Sequence, residues 1–165
     1  MKKSGFTLVE LMITLALCVL IISLTVVNVS FLHRGLVRSE VDKLFSACMF
    51  LQQCALTTGQ EHELFFDTKN NSYTFAGKNV FLRSPVAFGV VPGAKGPPSS
   101  PTRIIKNPTT FKGNKILFSP TGAISSGTVY LTDGEQKSLY ALSNGIAHIS
   151  HLRKYSYTSK WNLLP

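Results

Sequence analysis

No acidic residue falls between Asp67 and Asp133, a stretch that carries Lys69, Lys78, Arg83, Lys95, Arg103, Lys106, Lys112 and Lys115. Beyond Glu135 the tail again holds bases only. A field of one sign suits acidic partners (nucleic acid, anionic lipid headgroups, an acidic protein surface), or it is a solvated face that keeps the chain soluble. Cysteine is scarce as well. Cys18 lies in an apolar run, and Cys48 and Cys54 fall six apart in a helical pattern, roughly 120° apart around the axis, so no disulfide framework forms. His33, His62, His148 and His151 are scattered, and none has a nucleophile and an orienting acid beside it. His148 and His151 are three apart, on opposite faces of a strand, which disfavours joint metal ligation. Asp67, Asp133 and Glu135 are too few and too separated for a calcium cage. Gly93-Ala94-Lys95-Gly96 lacks the spacing of a phosphate loop. The expectation is a protein that is not an enzyme, with no catalytic residue, metal or cofactor.

What is present starts at the N-terminus. Lys2-Lys3-Ser4-Gly5 forms a short basic leader with a cleavage point after Gly5, followed by Phe6-Thr7-Leu8-Val9-Glu10. Leu11 to Leu32 is uncharged and mostly Leu, Ile, Val and Met, about the 20 residues that span a bilayer core. A cleaved secretory signal has a shorter apolar run and a small-residue site after it, and Val26 to Arg34 offers none. The bases before the span place the leader in the cytosol and the bulk of the chain outside, so the span is an uncleaved anchor. Removing Lys2 and Lys3 with the leader leaves 15 Lys and Arg against 8 Asp and Glu, a net charge of +7 where the whole chain has +9. Glu10 is the costly residue, since a carboxylate at the centre of a membrane helix costs on the order of 3 kcal/mol. Either it snorkels to the headgroups or an assembly offsets the charge.

No turn signal interrupts the chain between the span and Thr57-Thr58-Gly59. Val37, Val41, Leu44, Cys48, Leu51 and Ala55 recur at helical spacing, with Phe45 and Leu56 widening the stripe and Arg38, Asp42 and Gln53 off it. Gly59 is a left-handed stop. Phe6 to Thr58 therefore reads as one helix of roughly 80 Å, with Asn28 and Gly35 as its weak points. Strands are expected at Glu61 to Asp67 and Ser72 to Ala76 around a Lys69-Asn70-Asn71 connection, then at Val86 to Val91, Ile116 to Ser119, Thr128 to Thr132, Lys137 to Leu142 and Ile146 to His151. Asp133-Gly134 should make the tightest turn, and Pro92 to Pro101 an exposed loop without ladder pairing. The fold class is α+β, a long N-terminal helix packed on a small antiparallel sheet. At 165 residues the chain allows one modest domain besides the span.

Gly5-Phe6-Thr7-Leu8-Val9-Glu10 and its apolar span resemble the class III signal of type IV pilins and type II secretion pseudopilins. Phe118-Ser119-Pro120-Thr121-Gly122, Gly127-Thr128-Val129-Tyr130-Leu131 and Leu142-Ser143-Asn144-Gly145 resemble the H-class pseudopilin (GspH) and FimT family. The resemblance implies a leader at residues 1–5 removed by prepilin peptidase and methylation of the new Phe6 amine. It further implies a transmembrane half-helix at 6–28 in the bacterial inner membrane, N-terminus cytoplasmic, and a periplasmic pilin-like domain at 29–165, helical to about residue 58. Glu10 would accept from the Phe6 amine of a neighbouring subunit, where the absence of water makes the pairing worth most.

Two functions follow from that resemblance. One is a minor pseudopilin in the periplasmic pseudopilus of a type II secretion system, with other pseudopilins and the inner-membrane assembly platform as partners. The other is a FimT-like minor type IV pilin that binds DNA for uptake. The tail residues Arg153, Lys154 and Lys160, interleaved with Tyr155, Tyr157 and Trp161, are the candidate contacts to DNA or an acidic partner. The DNA-binding branch typically follows its tail glycine with arginine, whereas Gly145 here precedes Ile146-Ala147. The tail can equally be a last strand with solvated charges and Trp161 packed on the sheet.

Overall fold

A computed structural model describes residues 7–97, 100, 102–145 and 151–165, without the side chains of 24–32. The chain divides into two compact units, Met1–His33 and Arg34–Pro165. Helix α1 (Leu8–Thr58) begins in the first and ends in the second.

In the first unit every large apolar side chain from Leu8 to Ile22 is exposed, at 54–76%. Thr14 and Ser23 donate their hydroxyls to the carbonyls of Leu11 and Leu20, at 2.9 and 2.8 Å. This back-bonding lets a polar side chain sit on an apolar helix without an outside partner. Among the described residues no helix is long and apolar enough to cross a membrane. The expected span, Leu11 to Leu32, runs in its second half through residues whose side chains lie outside that description.

The second unit is α+β, with α1 against antiparallel strands. Val37, Val41, Leu44, Cys48, Leu51 and Ala55 are all buried, so the helical stripe is the face that enters the core. Burial pushes the Cys48 thiol well above its ordinary range. Leu56, expected to widen the stripe, is half exposed instead, because the helix stops two residues later and leaves little to pack beside it. Gly59 has φ +66° and donates to the Ala55 carbonyl at 3.1 Å, the left-handed stop the sequence implied.

Two sheets form where one was expected. The first has the order β3-β2-β1-β5, from β1 (His62–Asp67), β2 (Ser72–Phe75), β3 (Lys78–Phe81) and β5 (Lys115–Phe118). The second has the order β4-β6-β7-β8-β9, from β4 (Ala87–Phe88), β6 (Gly127–Thr132), β7 (Leu139–Asn144), β8 (Arg153–Tyr157) and β9 (Trp161–Leu163). All pairings between strands are antiparallel. Leu64, Phe66, Ile116 and Phe118 from the first sheet and Phe88, Val129, Leu131 and Leu142 from the second share one core with the α1 stripe. Phe66 joins the two, lying edge-on to Phe88 at 5.6 Å between centroids and tilted against Phe111 at 6.0 Å.

The turns show where local chemistry set the outcome. In the β1–β2 connection the Asp67 carboxylate accepts from the Asn70 side chain at 2.7 Å and from the Lys69 and Asn70 amides, each at 3.1 Å. These bonds, the Asn70 side chain's foremost, hold its pKa below the ordinary value. Asp133-Gly134 is not a two-residue turn. Thr132 pairs with Leu139, and the six residues between them close around a buried Asp133, whose carboxylate accepts from the Lys137 amide at 2.8 Å. Strand β7 accordingly begins at Leu139 rather than Lys137. The strand expected at Ile146 to His151 falls on residues outside the description except for His151, and pairing is seen from Arg153 onward.

Tyr73 sits in the core beside Glu40, itself buried, whose carboxylate accepts from Lys43 at 2.6 Å. Burial first, then the nearby charges of Glu40 and Cys48, push the Tyr73 phenol up to about 12 from 10.0. A phenol raised on folding contributes stability in full below the unfolded value and loses it as pH climbs from 10 through about 12. Two units correspond to about 2 kcal/mol at the upper end of that window. Tyr73→Phe should therefore lose about that much less stability than the wild type between pH 10 and 12. Urea unfolding across that range tests this, and equal slopes for the two proteins would refute it.

Candidate functional site

Thr7 to Glu10 is the described part of the N-terminal signal; Gly5 and Phe6 lie outside the described residues. The Thr7 amide and hydroxyl donate to Glu10 Oε2 at 2.9 and 3.0 Å. In return the Glu10 amide approaches the Thr7 hydroxyl at 3.3 Å. This is a reciprocal capping box, in which a threonine just before the helix and a glutamate three residues on satisfy each other's open donors. The carboxylate also lies at the positive end of the helix dipole. Sequence reasoning paired Glu10 only with a neighbouring chain and overlooked Thr7, although the Thr-x-x-Glu spacing was legible at positions 7–10. Both described bonds to the carboxylate fall on Oε2. The cap is therefore compatible with a further donor reaching the same carboxylate.

The basic tail is put together differently from what interleaved bases and aromatics suggested. Strand β8 pairs with β7 so that Tyr155 lies opposite Ala141, Tyr157 opposite Leu139 and Lys154 opposite Leu142. Alternation along the strand then sends Lys154 to the α1 side and the tyrosines to the other face. Lys154 Nζ donates to Asp42 Oδ1 at 2.8 Å and stands 5.1 Å from the centre of the Phe45 ring. Its side chain is only 17% exposed, so it ties β8 to α1. Tyr155 and Tyr157 pack around Trp161, with centroids at 6.5 and 5.0 Å. Arg153 and Lys160 are exposed, the first at the start of β8 and the second in the turn between β8 and β9. The three predicted basic contacts are thus not brought together.

The aromatics carry a loop instead. Trp161 Nε1 donates to the Lys95 carbonyl at 2.8 Å, and the Lys95 amide approaches the Tyr157 hydroxyl at 3.4 Å. Gly96 lies over the indole with φ +132°, and a Cβ there would overlap Trp161. Residues 94–96 of the expected loop from Pro92 to Pro101 are therefore not simply exposed. Ala94 and Gly96 are buried, Lys95 bridges Ile104, and the Gly96 amide donates to the Arg103 carbonyl at 2.7 Å.

The glycine-containing motifs from Phe118 onward turn out to be architectural. After β5 the chain turns through Gly122 at φ +83°, and the Gly122 carbonyl accepts from Gln52 Nε2 of α1 at 2.9 Å. Asn144 is buried and donates to the Ile124 carbonyl at 2.8 Å. These groups fasten the helix, the turn and β7 to one another. Among the described residues no three His, Cys, Asp or Glu side chains gather in a metal-binding group.

With this geometry in place, comparison with protein families adds one finding. The chain carries a prokaryotic N-terminal methylation motif, matched over residues 1–26. The match supports a type IV pilin-like chain of the prepilin type, processed by cleavage and methylation at its N-terminus, and assembly with other such chains. No curated protein and no solved structure matched the chain.

Lys154→Ala should cost about 1 kcal/mol of stability, from the ion pair and the ring contact together. In an Asp42→Ala background the same change should cost markedly less, as expected for partners in one contact. Chemical denaturation of the four proteins measures the coupling, and identical losses in both backgrounds would disprove the tie.

Proposed function

We propose that the protein is a minor pseudopilin of a type II secretion system. In this reading prepilin peptidase cuts between Gly5 and Phe6 and the Phe6 amine is methylated. Residues 6–28 anchor the mature chain in the bacterial inner membrane, and residues 29–165 form the periplasmic domain. The chain enters the pseudopilus with other pseudopilins, on the inner-membrane assembly platform. The observation that carries the prepilin part of this reading, common to both alternatives, is the methylation motif over residues 1–26. The outward-facing apolar side chains from Leu8 to Ile22 support it, since they need lipid or neighbouring helices to leave water.

The DNA-binding alternative draws on the acid-free stretch from Lys69 to Thr132. Of its tail candidates, Lys154 is engaged by Asp42 and Trp161 by Lys95, which leaves Arg153 and Lys160 exposed but apart. That favours the secretion reading.

The capping box makes the test of Glu10 sharper than truncation alone. Glutamine can retain the cap, since its side-chain carbonyl accepts the same bonds, but it carries no charge. If Glu10 neutralises the Phe6 amine of a neighbour, Glu10→Gln and Glu10→Ala should both insert in the membrane normally and be processed. Both should then fall about tenfold or more in incorporation into the filament, the scale of a lost charge-assisted bond. Crosslinking of assembled filaments against total membrane protein reads this out. Wild-type incorporation of Glu10→Gln would leave Glu10 as a helix cap only.

A further inference from the structure

Between the loop that carries Lys95 and Arg103 and strand β6 lies a cleft of about 610 Å³. Gly96, Arg103, Lys106, Asn107, Thr110 and Tyr130 are among the residues around it, and none of its lining is acidic. Three features set it apart from an ordinary surface depression. Among its described lining residues the two charged side chains, Arg103 and Lys106, are both cationic, and the sequence holds no acid from residue 68 to residue 132. Its wall is built, since the Ala94 carbonyl accepts from Ile105, the Arg103 carbonyl from Gly96, and the Lys95 carbonyl from Trp161. Its third feature is Tyr130, a fully buried residue whose hydroxyl has no hydrogen-bond partner among the described residues. The nearby Thr128 hydroxyl is engaged with Ser143 Oγ at 2.8 Å.

We propose that this cleft binds a phosphate-bearing anion, held by Arg103 and Lys106 at its rim and by the Tyr130 hydroxyl at its floor. A buried phenol whose only polar neighbour is the already engaged Thr128 hydroxyl can donate to a further acceptor, and in a cleft whose described charged lining is cationic the acceptor that gains most is an anion. Phosphate suits the set better than a planar carboxylate. Arginine can bind two of its oxygens as a fork, leaving others for the lysine and the phenol. The cleft has room for more than a phosphate ion, so the group can belong to a free ion or to a phosphodiester chain. This site does not use the tail positions Arg153, Lys154 and Lys160, and it does not depend on membership of a secretion filament.

The full-length protein in uncharged detergent micelles provides the test. Inorganic phosphate and, separately, a short single-stranded oligonucleotide without terminal phosphates are titrated at low salt. Binding is followed by calorimetry and by the emission of Trp161, the single tryptophan, whose ring lies 5.9 Å from that of Tyr130. Saturable binding of at least one probe is expected. Tyr130→Phe, which removes one oxygen and keeps the ring, should weaken it about tenfold. The Arg103→Gln, Lys106→Gln double variant alters exposed side chains and should abolish it. Saturation by phosphate identifies a small-anion site, and saturation by the oligonucleotide alone identifies a backbone phosphodiester site. Absence of saturation with both probes by both readouts overturns the proposal. So does binding that the Arg103→Gln, Lys106→Gln variant retains at wild-type strength.

Discussion

Burial of one face of α1, from Val37 to Ala55, is the constraint on which the rest of the second unit depends. Six stripe residues are at or near zero exposure, and they meet side chains of both sheets in one core. Full burial of a large aliphatic side chain is worth about 1.5–3 kcal/mol, so this face alone outweighs any single polar tie in the structure. Two sheets arise because strands of the length seen here, two to six residues, cannot wrap a helix face as one flat layer. Phe66, touching Phe88 and Phe111, fills the seam where the two layers meet.

The second sheet adds a further layer of constraint because its central strands are buried on both faces. Val129, Leu131 and Leu142 belong to the core shared with α1, while Tyr130, Leu139 and Ala141 form a second cluster with Ala94. That outer cluster is covered by the loop seated on Trp161. The tail therefore has an internal task on each face. Lys154 faces the helix, and Tyr155 and Tyr157 support the loop. A strand committed on both faces has little left with which to track a phosphate backbone, apart from its exposed ends.

Much of this was legible in the residues. The α1 stripe follows from helical periodicity, which reports burial directly. Gly59 announced the helix end because a left-handed stop has a residue preference of its own. Strands β1, β2, β5 and β6 had short apolar or aromatic runs bounded by turn signals. The elements that escaped share a physical cause. Strand β3 is an edge strand, exposed at Lys78, Asn79 and Phe81, so burial left no period in it. Strand β8 was legible only as one reading of the tail, a last strand with Trp161 packed on the sheet, but its Lys154, read as a solvated charge, is taken up by Asp42. The Asp133 loop was misjudged because Asp-Gly signals a turn but not how many residues the turn encloses. The described residues from Pro92 to Ser100 form no continuous ladder, yet a distant tryptophan holds Lys95 and Gly96, and nothing local encodes that contact. For the candidate site, the capping partner Thr7 stood at a recognised spacing, whereas the gathering of Arg103, Lys106 and Tyr130 required the fold.

Glu10 shows why one carboxylate can satisfy two demands at different stages. A lone helix with apolar side chains outward from Leu8 to Ile22 has its open amides at its N-terminus, and an acidic side chain there satisfies donors and meets the dipole. That arrangement needs no partner chain, so it can hold the helix start before assembly. Once such helices pack together and water is excluded, an unbalanced negative charge becomes costly, and a positively charged amine on a neighbour is the group that relieves it. A neutral capping residue would serve the first stage and not the second. Under the proposed function, an acid at position 10, in a stretch otherwise free of charge from Phe6 to His33, would serve both stages.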